Sequence, residues 1–170
     1  VWNMGIQNYL IEGISCTGKT SVYRGLEARG YHALNGDNVF AYCGDPATEK
    51  PLSAGGHDTH IWDVAKVEQL VEDQSQQASF FCGGSRNFDK FIRLFDKVFV
   101  LEIDLETLNH RLAQRPADDW GGRESERELV RQLHASGGDV PKNGIRIDAT
   151  QPLDQVVDEI LTHCDLSQRR

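Results

Sequence analysis

"GISCTGKT", Gly13 to Thr20, is the stretch that decides how this chain is read. An apolar segment, NYLIEGI (8–14), runs into it, and an amphipathic one, KTSVYRGLEARG (19–30), leaves it. Gly13 and Gly18 let backbone N–H groups curl around an anion with no Cβ in the way. Ser15, Cys16 and Thr17 supply further backbone donors between them. A helix beginning at Lys19 turns its free N–H groups and positive dipole end toward the same anion. Lys19 then reaches the outer phosphates of a nucleotide, and Thr20 offers a hydroxyl to Mg²⁺. The spacing Gly-x4-Gly-Lys-Thr, with strand before and helix after, makes 13–20 a phosphate-binding loop.

Working outward, apolar runs alternate with amphipathic ones. Strands are expected at 8–14, 31–36, 78–84 (ASFFCGG), 97–104 (KVFVLEID) and 143–150 (NGIRIDAT). Helices are expected at 19–30, where Gly30 is a C′ residue, and at 63–77, 87–95, 105–115, 124–136 and 152–164. Residues 41–60 are rich in Gly, Pro, Asp, Ser and Thr and read as a mobile loop. Strands separated by helices call for a parallel sheet covered on both faces. The expectation is a single α/β domain over 1–170, a doubly wound five-stranded parallel sheet with helices on both faces.

Composition excludes several classes. The 170 residues are 39% hydrophobic and 26% charged, ordinary for a globular protein, and the formal net charge is −8. A basic face for nucleic acid is not expected. No run of eighteen apolar residues exists to span a membrane, and the first residues do not read as a secretory signal. Cysteines 16, 43, 82 and 164 form no CxxC pair, so they read as reduced thiols in a cytoplasmic protein. The sequence leaves monomer and homodimer open.

The segment DLETLNHRLAQRP (104–116) carries two arginines four apart, Arg111 and Arg115, on one helix face. Here the chain resembles the adenylate kinase-like small kinases at the start of their lid. The resemblance implies that Arg111 packs near the adenine and that Arg115 holds the transferring phosphate. The polar stretch after it, to residue 127, then reads as a short lid (116–127) carrying Arg123 and Arg127. The segment RIDATQPLDQVVDEI (146–160) is similar to the adenine loop of the same family, which places Ala149, Thr150 and Gln151 beside the base. With the phosphate loop, the resemblance covers most of the chain and groups it with nucleoside monophosphate, shikimate and other small-molecule kinases. ATP and Mg²⁺ are the cofactors it implies.

For the acceptor, Asp37 in LNGDNVF looks like the aspartate of shikimate kinase, where it takes the acceptor's proton or orders Mg²⁺ together with Thr20. A plain helix N-cap is the other reading of Asp37. CGGSRN (82–87) ends a strand at the expected crevice, so Gly83, Gly84 and Arg86 are candidate acceptor contacts, with Arg123 from the lid. His57, His60 and Trp62 are expected to line the same pocket, an indole face stacking on a ring and imidazoles bonding hydroxyls. The spacing of His57, His60 and Asp63 also admits a metal site.

The chain departs from those relatives in charge. No arginine occurs between Arg29 and Arg86, and the span 37–80 holds eight acids against Lys50 and Lys66. A doubly charged acceptor would find few partners there. The sequence thus predicts transfer of the ATP γ-phosphoryl group to a hydroxyl of a nucleoside-like or other weakly charged alcohol, with Lys19, Asp37 and Arg115 catalytic. A nucleoside monophosphate kinase is the alternative, and a non-catalytic or slowly hydrolysing nucleotide-binding module is a further one.

Overall fold

The computed structural model describes residues 6–138 and 140–166. Strand β1 (Gln7–Glu12) enters the phosphate-binding loop, and α1 (Lys19–Ala28) leaves it. There follow β2 (His32–Asn35), a one-turn α2 (Gly36–Val39), and two three-residue strands, β3 (Ala41–Cys43) and β4 (His60–Trp62). Next come α3 (Val64–Glu72), β5 (Ala78–Cys82), β6 (Lys97–Glu102), α4 (Leu105–Ala113), α5 (Glu124–Ser136), β7 (Ile145–Asp148) and α6 (Leu153–His163).

The main sheet has the order β2-β5-β1-β6-β7, and every pairing is parallel. Alternation along β1 sends Tyr9 and Ile11 to one face and Leu10 to the other. Tyr9 and Ile11 join Phe80 and Phe99 under Val22, Leu26, Leu108, Leu112, Val130, Val157 and Ile160, from α1, α4, α5 and α6. Leu10 and Phe81 join Phe40, Trp62, Val67, Phe91 and Phe95 on the opposite face. Both faces are therefore covered, and the doubly wound five-stranded architecture is the one observed. From β1 the chain passes to β2 and β5 on one side, then crosses to β6 and β7 on the other, so a crevice opens at the carboxyl end of β1, where ligands of open α/β sheets bind.

Two expectations are corrected. Residues 41–60 are not simply a loop: β3 and β4 pair antiparallel, Ala41 opposite Trp62 and Cys43 opposite His60. Strands of three residues leave too short a pattern to read. Residues 87–95 are not a helix but two separate 3-10 turns, Phe88–Lys90 and Ile92–Leu94. Asn87 explains the start: its side chain exchanges two hydrogen bonds with the Trp62 backbone, both 3.0 Å. That anchor, and the packing of Phe91 flat on Trp62 (5.5 Å, 5°), override the helical pattern.

Candidate active site

The phosphate-binding loop is pre-shaped. Gly18 caps α1 at φ 100°, in the left-handed region that a side chain resists. The Lys19 ammonium donates to the carbonyls of Gly13 and Ile14, and Thr17 donates its hydroxyl to Ile14 O at 2.8 Å. Ser15, Cys16, Thr17, Gly18, Lys19 and Thr20 all face one cavity of about 860 Å³. Gly13 lies behind them, its N–H donating to the Glu12 carboxylate at 3.1 Å.

Arg111 joins the two nucleotide-side loops. Its guanidinium donates to Cys16 O at 3.0 Å and to Ala149 O at 2.9 Å. Ala149 and Gln151 line the cavity. Thr150 does not: it is exposed and turns back to bond Asp148. Leu153 and Val156, from the start of α6, add an apolar wall suited to a planar base. These two read in the sequence only as helix residues.

On the other side stand Asp37, His57, His60, Gly84, Arg86, Arg115 and Trp120. Trp62 is not among them. It is fully buried, packed on Phe40 and Phe91, so tightly that a Cβ at Gly36 would stand 2.1 Å from its ring. The apolar indole is taken by the core, and only its Nε1–H reaches the site, donating to Asp37 Oδ1 at 3.4 Å. The ring that the cavity does have is Trp120, stacked on His57 at 5.2 Å and 24°. Gly83 is buried behind the cavity wall.

The lid arginines divide. Arg115 lines the cavity and donates to Trp120 O, which holds the 116–123 loop. Arg123 is exposed and sits at the N-cap of α5, outside the cavity lining. Glu126 folds back to accept from the N–H groups of Gly121 (2.9 Å) and Arg123 (3.3 Å). Arg127 lies in the first turn of that helix, 3.7 Å from Glu124. The helix thus begins inside the stretch expected to be lid.

Electrostatics set the site apart. Burial raises the Asp37 carboxyl, but the hydrogen bond and charge of His60, then Lys19 and Trp62, outweigh it and hold Asp37 below the usual carboxylate range. His60 Nε2 donates to Asp37 Oδ1 at 3.0 Å. Burial and then the charge of Arg86 push His57 down to about 4, so it is neutral at physiological pH. Burial also lowers the Lys19 ammonium, against the pull of Glu12 and Asp37. Glu12, 1% exposed, is pushed up to about 7 by burial, opposed by Lys19, the Gly13 N–H, Arg86 and the Ser85 N–H. Sequence reading passed over Glu12; its signal is an acid closing an otherwise apolar strand beside a phosphate loop.

The donor set suits a hard cation. Thr20 and the ionised Asp37 face the same cavity and offer oxygen only, the ligand type Mg²⁺ prefers. Among the described residues, no group of three His, Cys, Asp or Glu is placed to hold a metal on its own. Asp63, expected as a possible ligand beside His57 and His60, caps α3 instead by accepting from Lys66 N–H at 3.2 Å. Among the described residues no helix is long and apolar enough to cross a membrane.

Comparison with known proteins agrees with this geometry. The family model described as "AAA domain" matches residues 10–132. A sugar kinase from Janibacter sp. HTCC2649 superposes with a TM-score of 0.61 at 19% identity, covering 95% of this chain and 96% of that one. A gluconokinase from Sinorhizobium meliloti 1021 gives 0.57 at 20% identity (95% and 94%). A shikimate kinase from Acinetobacter baumannii, in complex with shikimate, gives 0.62 at 15% identity, covering 96% of each chain. No curated protein sequence matches. The chain belongs to the AAA domain family that this model describes, and its fold is that of the P-loop kinases of the shikimate and adenylate kinase-like type.

Proposed function

We propose that the protein is an ATP-dependent kinase that phosphorylates a hydroxyl of a small molecule bearing at most one negative charge. The observation that carries the reading is the single cavity shared by Lys19 and Thr20 on one side and Asp37, His60 and Arg86 on the other. The kinase folds it matches, including those named for sugar, gluconate and shikimate, support it.

Phosphoryl transfer asks mainly for positioning and for cations around the moving group. Backbone N–H groups of 15–20 cradle the phosphates, Lys19 reaches the outer ones, and Arg115 approaches from the lid side. Thr20 and Asp37 would hold Mg²⁺, which when bound neutralises phosphate charge. Asp37, kept ionised and aimed by His60 and Trp62, accepts the hydrogen bond of the acceptor hydroxyl. His57 and Trp120 close over the acceptor end and exclude water.

Charge counting narrows the acceptor, though by a different route from the sequence argument. Of the eight acids between 37 and 80, only Asp37 lines the cavity. Asp45 and Asp63 cap turns, and Glu49 pairs with Lys90 at 3.2 Å. Asp58, outside the lining, acts on Arg86 and His57, so repulsion comes from Asp37 and Asp58 rather than from a field of eight acids. The supply of cations sets the limit: Arg111 is spent on two carbonyls, while Lys19 and Arg115 serve the nucleotide. Arg86, which already interacts with Glu12, Asp58 and Asp37, is the lining arginine on the acceptor side, enough for one carboxylate or none.

The test is acceptor-stimulated ADP release across nucleosides, their monophosphates, shikimate, gluconate and aminoglycosides. Stimulation by a hydroxyl compound is expected. Best stimulation by a nucleoside monophosphate would instead assign a nucleoside monophosphate kinase. ATP turnover indifferent to every addition would leave a nucleotide-binding module.

A further inference from the structure

Glu12 is a charged group in a place that charges avoid. Its side chain is 1% exposed, at the last position of the central strand. Burying a carboxylate costs several kcal/mol unless partners repay it. The partners lie on the two sides of the cavity. On the nucleotide side are the Gly13 N–H, at 3.1 Å, and the charge of Lys19. On the acceptor side are the Ser85 N–H and the charge of Arg86. Gly84 shows how closely they meet: a Cβ there would stand 2.8 Å from Glu12 Oε1 and 3.7 Å from Arg86 Nη2. Asp37 and Arg115 act on Lys19 in turn, and Asp58 and then Asp37 act on Arg86 beside Glu12.

Lys19 donates to the carbonyls of Gly13 and Ile14. Phosphates arriving in the loop must recruit it. The same phosphates bring several negative charges toward a buried carboxylate as Lys19, the first of the groups compensating it, is drawn away. A buried carboxylate in that position answers by binding a proton.

We propose that Glu12 is a positioning residue that exchanges Lys19 for a proton when a nucleotide enters, and so releases Arg86 toward the acceptor. The proton comes from solvent and goes to the Glu12 carboxylate; no bond between heavier atoms changes. The inference rests on the reading that loop 13–20 takes nucleotide phosphates. It biases the order of loading toward the donor, because an ionised Glu12 holds Arg86 for a larger share of the time before the donor binds than after. Burial holds Glu12 at about 7, so a further rise is visible near neutrality.

The experiment is calorimetry of Mg²⁺ with the β,γ-imido analogue of ATP, in buffers of different ionisation heat, on native protein and Glu12→Gln. At pH 7 the native protein is expected to take up about half a proton more per bound nucleotide than the variant. The difference should disappear by about pH 5, where Glu12 already carries its proton. Binding with equal proton uptake in both proteins overturns the inference alone. No binding to native protein overturns the donor-site reading and the inference with it. Should Glu12→Gln not fold, native protein with ¹³C-labelled glutamate carboxyls serves: infrared difference spectra must gain a protonated-carboxyl band on nucleotide binding, and a spectrum without it overturns the proposal.

Discussion

The two sides of the cavity are built in opposite ways. The donor side is nearly one continuous stretch, residues 15–20, braced from outside by Arg111 bonding Cys16 O and Ala149 O. Its lysine is held by its own loop, Lys19 bonding the backbone carbonyls of Gly13 and Ile14. The acceptor side is gathered from separate segments: Asp37 on α2, His57 and His60 about β4, Gly84 and Arg86 after β5, and Trp120 between α4 and α5. No short stretch defines it, and its geometry depends on packing such as Trp62 against Gly36 and Phe91. A contiguous site tolerates divergence elsewhere in the chain. A gathered one can change specificity by altering any of several loops, and one P-loop scaffold can serve different acceptors in that way.

Replacing Lys19 attacks the contiguous side and should have the largest effect. Lys19→Ala is expected to lower kcat/KM by about 10³-fold or more, the scale of losing a preorganised charge donor at the transferring group. Thermal unfolding near pH 7 should move little, because Lys19 is half-buried, its hydrogen bonds go to backbone carbonyls of its own loop, and Glu12, at about 7, can take a proton where the Lys19 charge is lost. Steady-state kinetics beside a melting curve checks it. Unchanged turnover in a folded variant would end the kinase reading.

Asp37→Asn attacks the gathered side. It keeps volume and leaves an oxygen for His60 and Trp62, but loses the charge. With a hydroxyl acceptor, kcat should fall about 10²-fold or more, as for loss of a positioned base. With an anionic acceptor that needs no base, kcat should hold and only the Mg²⁺ dependence should shift. The kcat ratio across the acceptor panel distinguishes the two.

A third expectation compares ligands. A nucleoside, or a neutral or singly charged alcohol, should exceed its own monophosphate in kcat/KM by about tenfold, since each further phosphate charge lacks a charge-assisted donor worth about 1.5–3 kcal/mol. A monophosphate preferred by the same margin would show that Arg115 serves the acceptor rather than the nucleotide.

This division also sets what was legible in the sequence. Residues 13–20 carry their function in spacing alone, and the five strands and their parallel order follow from alternation of apolar runs. Arg111 is placed by the resemblance of 104–116 to the lid entry of the small kinases; the shared helix face expected for Arg111 and Arg115 does not form, because α4 ends at Ala113 and Arg115 lies beyond its C-cap. Trp62 was misplaced because a tryptophan in a polar loop looks the same whether it faces a ligand or the core; only the partners Gly36, Phe40 and Phe91, distant in sequence, decide. Trp120 was missed for the converse reason, since its stacking partner His57 is sixty-three positions earlier in the chain. Seven of the eight acids in 37–80 lie outside the cavity lining, and of those Asp58 acts on its Arg86 and His57. Charge can be counted along a chain, but its direction needs the fold.

The smallest effect tests the ring contact between His57 and Trp120 on the gathered side. His57 and Trp120 stack at 5.2 Å, joining the segment before β4 to the loop before α5. Such a pair contributes about 0.5–1.5 kcal/mol beyond its burial. Trp120→Ala should therefore raise the acceptor KM about two- to tenfold and leave the nucleotide Kd unchanged. The contact also depends on pH. His57 is held down to about 4 from an ordinary value of 6.5 by burial and by Arg86. A depressed value means that folding favours the neutral ring. That contribution is complete above about pH 6.5 and is lost as pH falls toward 4, when a protonated ring faces Arg86. Acceptor KM in the native protein should climb through this window, and His57→Phe, which keeps a ring but cannot protonate, should flatten the climb. The same climb in native protein and His57→Phe would place the pH dependence on another group and leave the stack a passive contact.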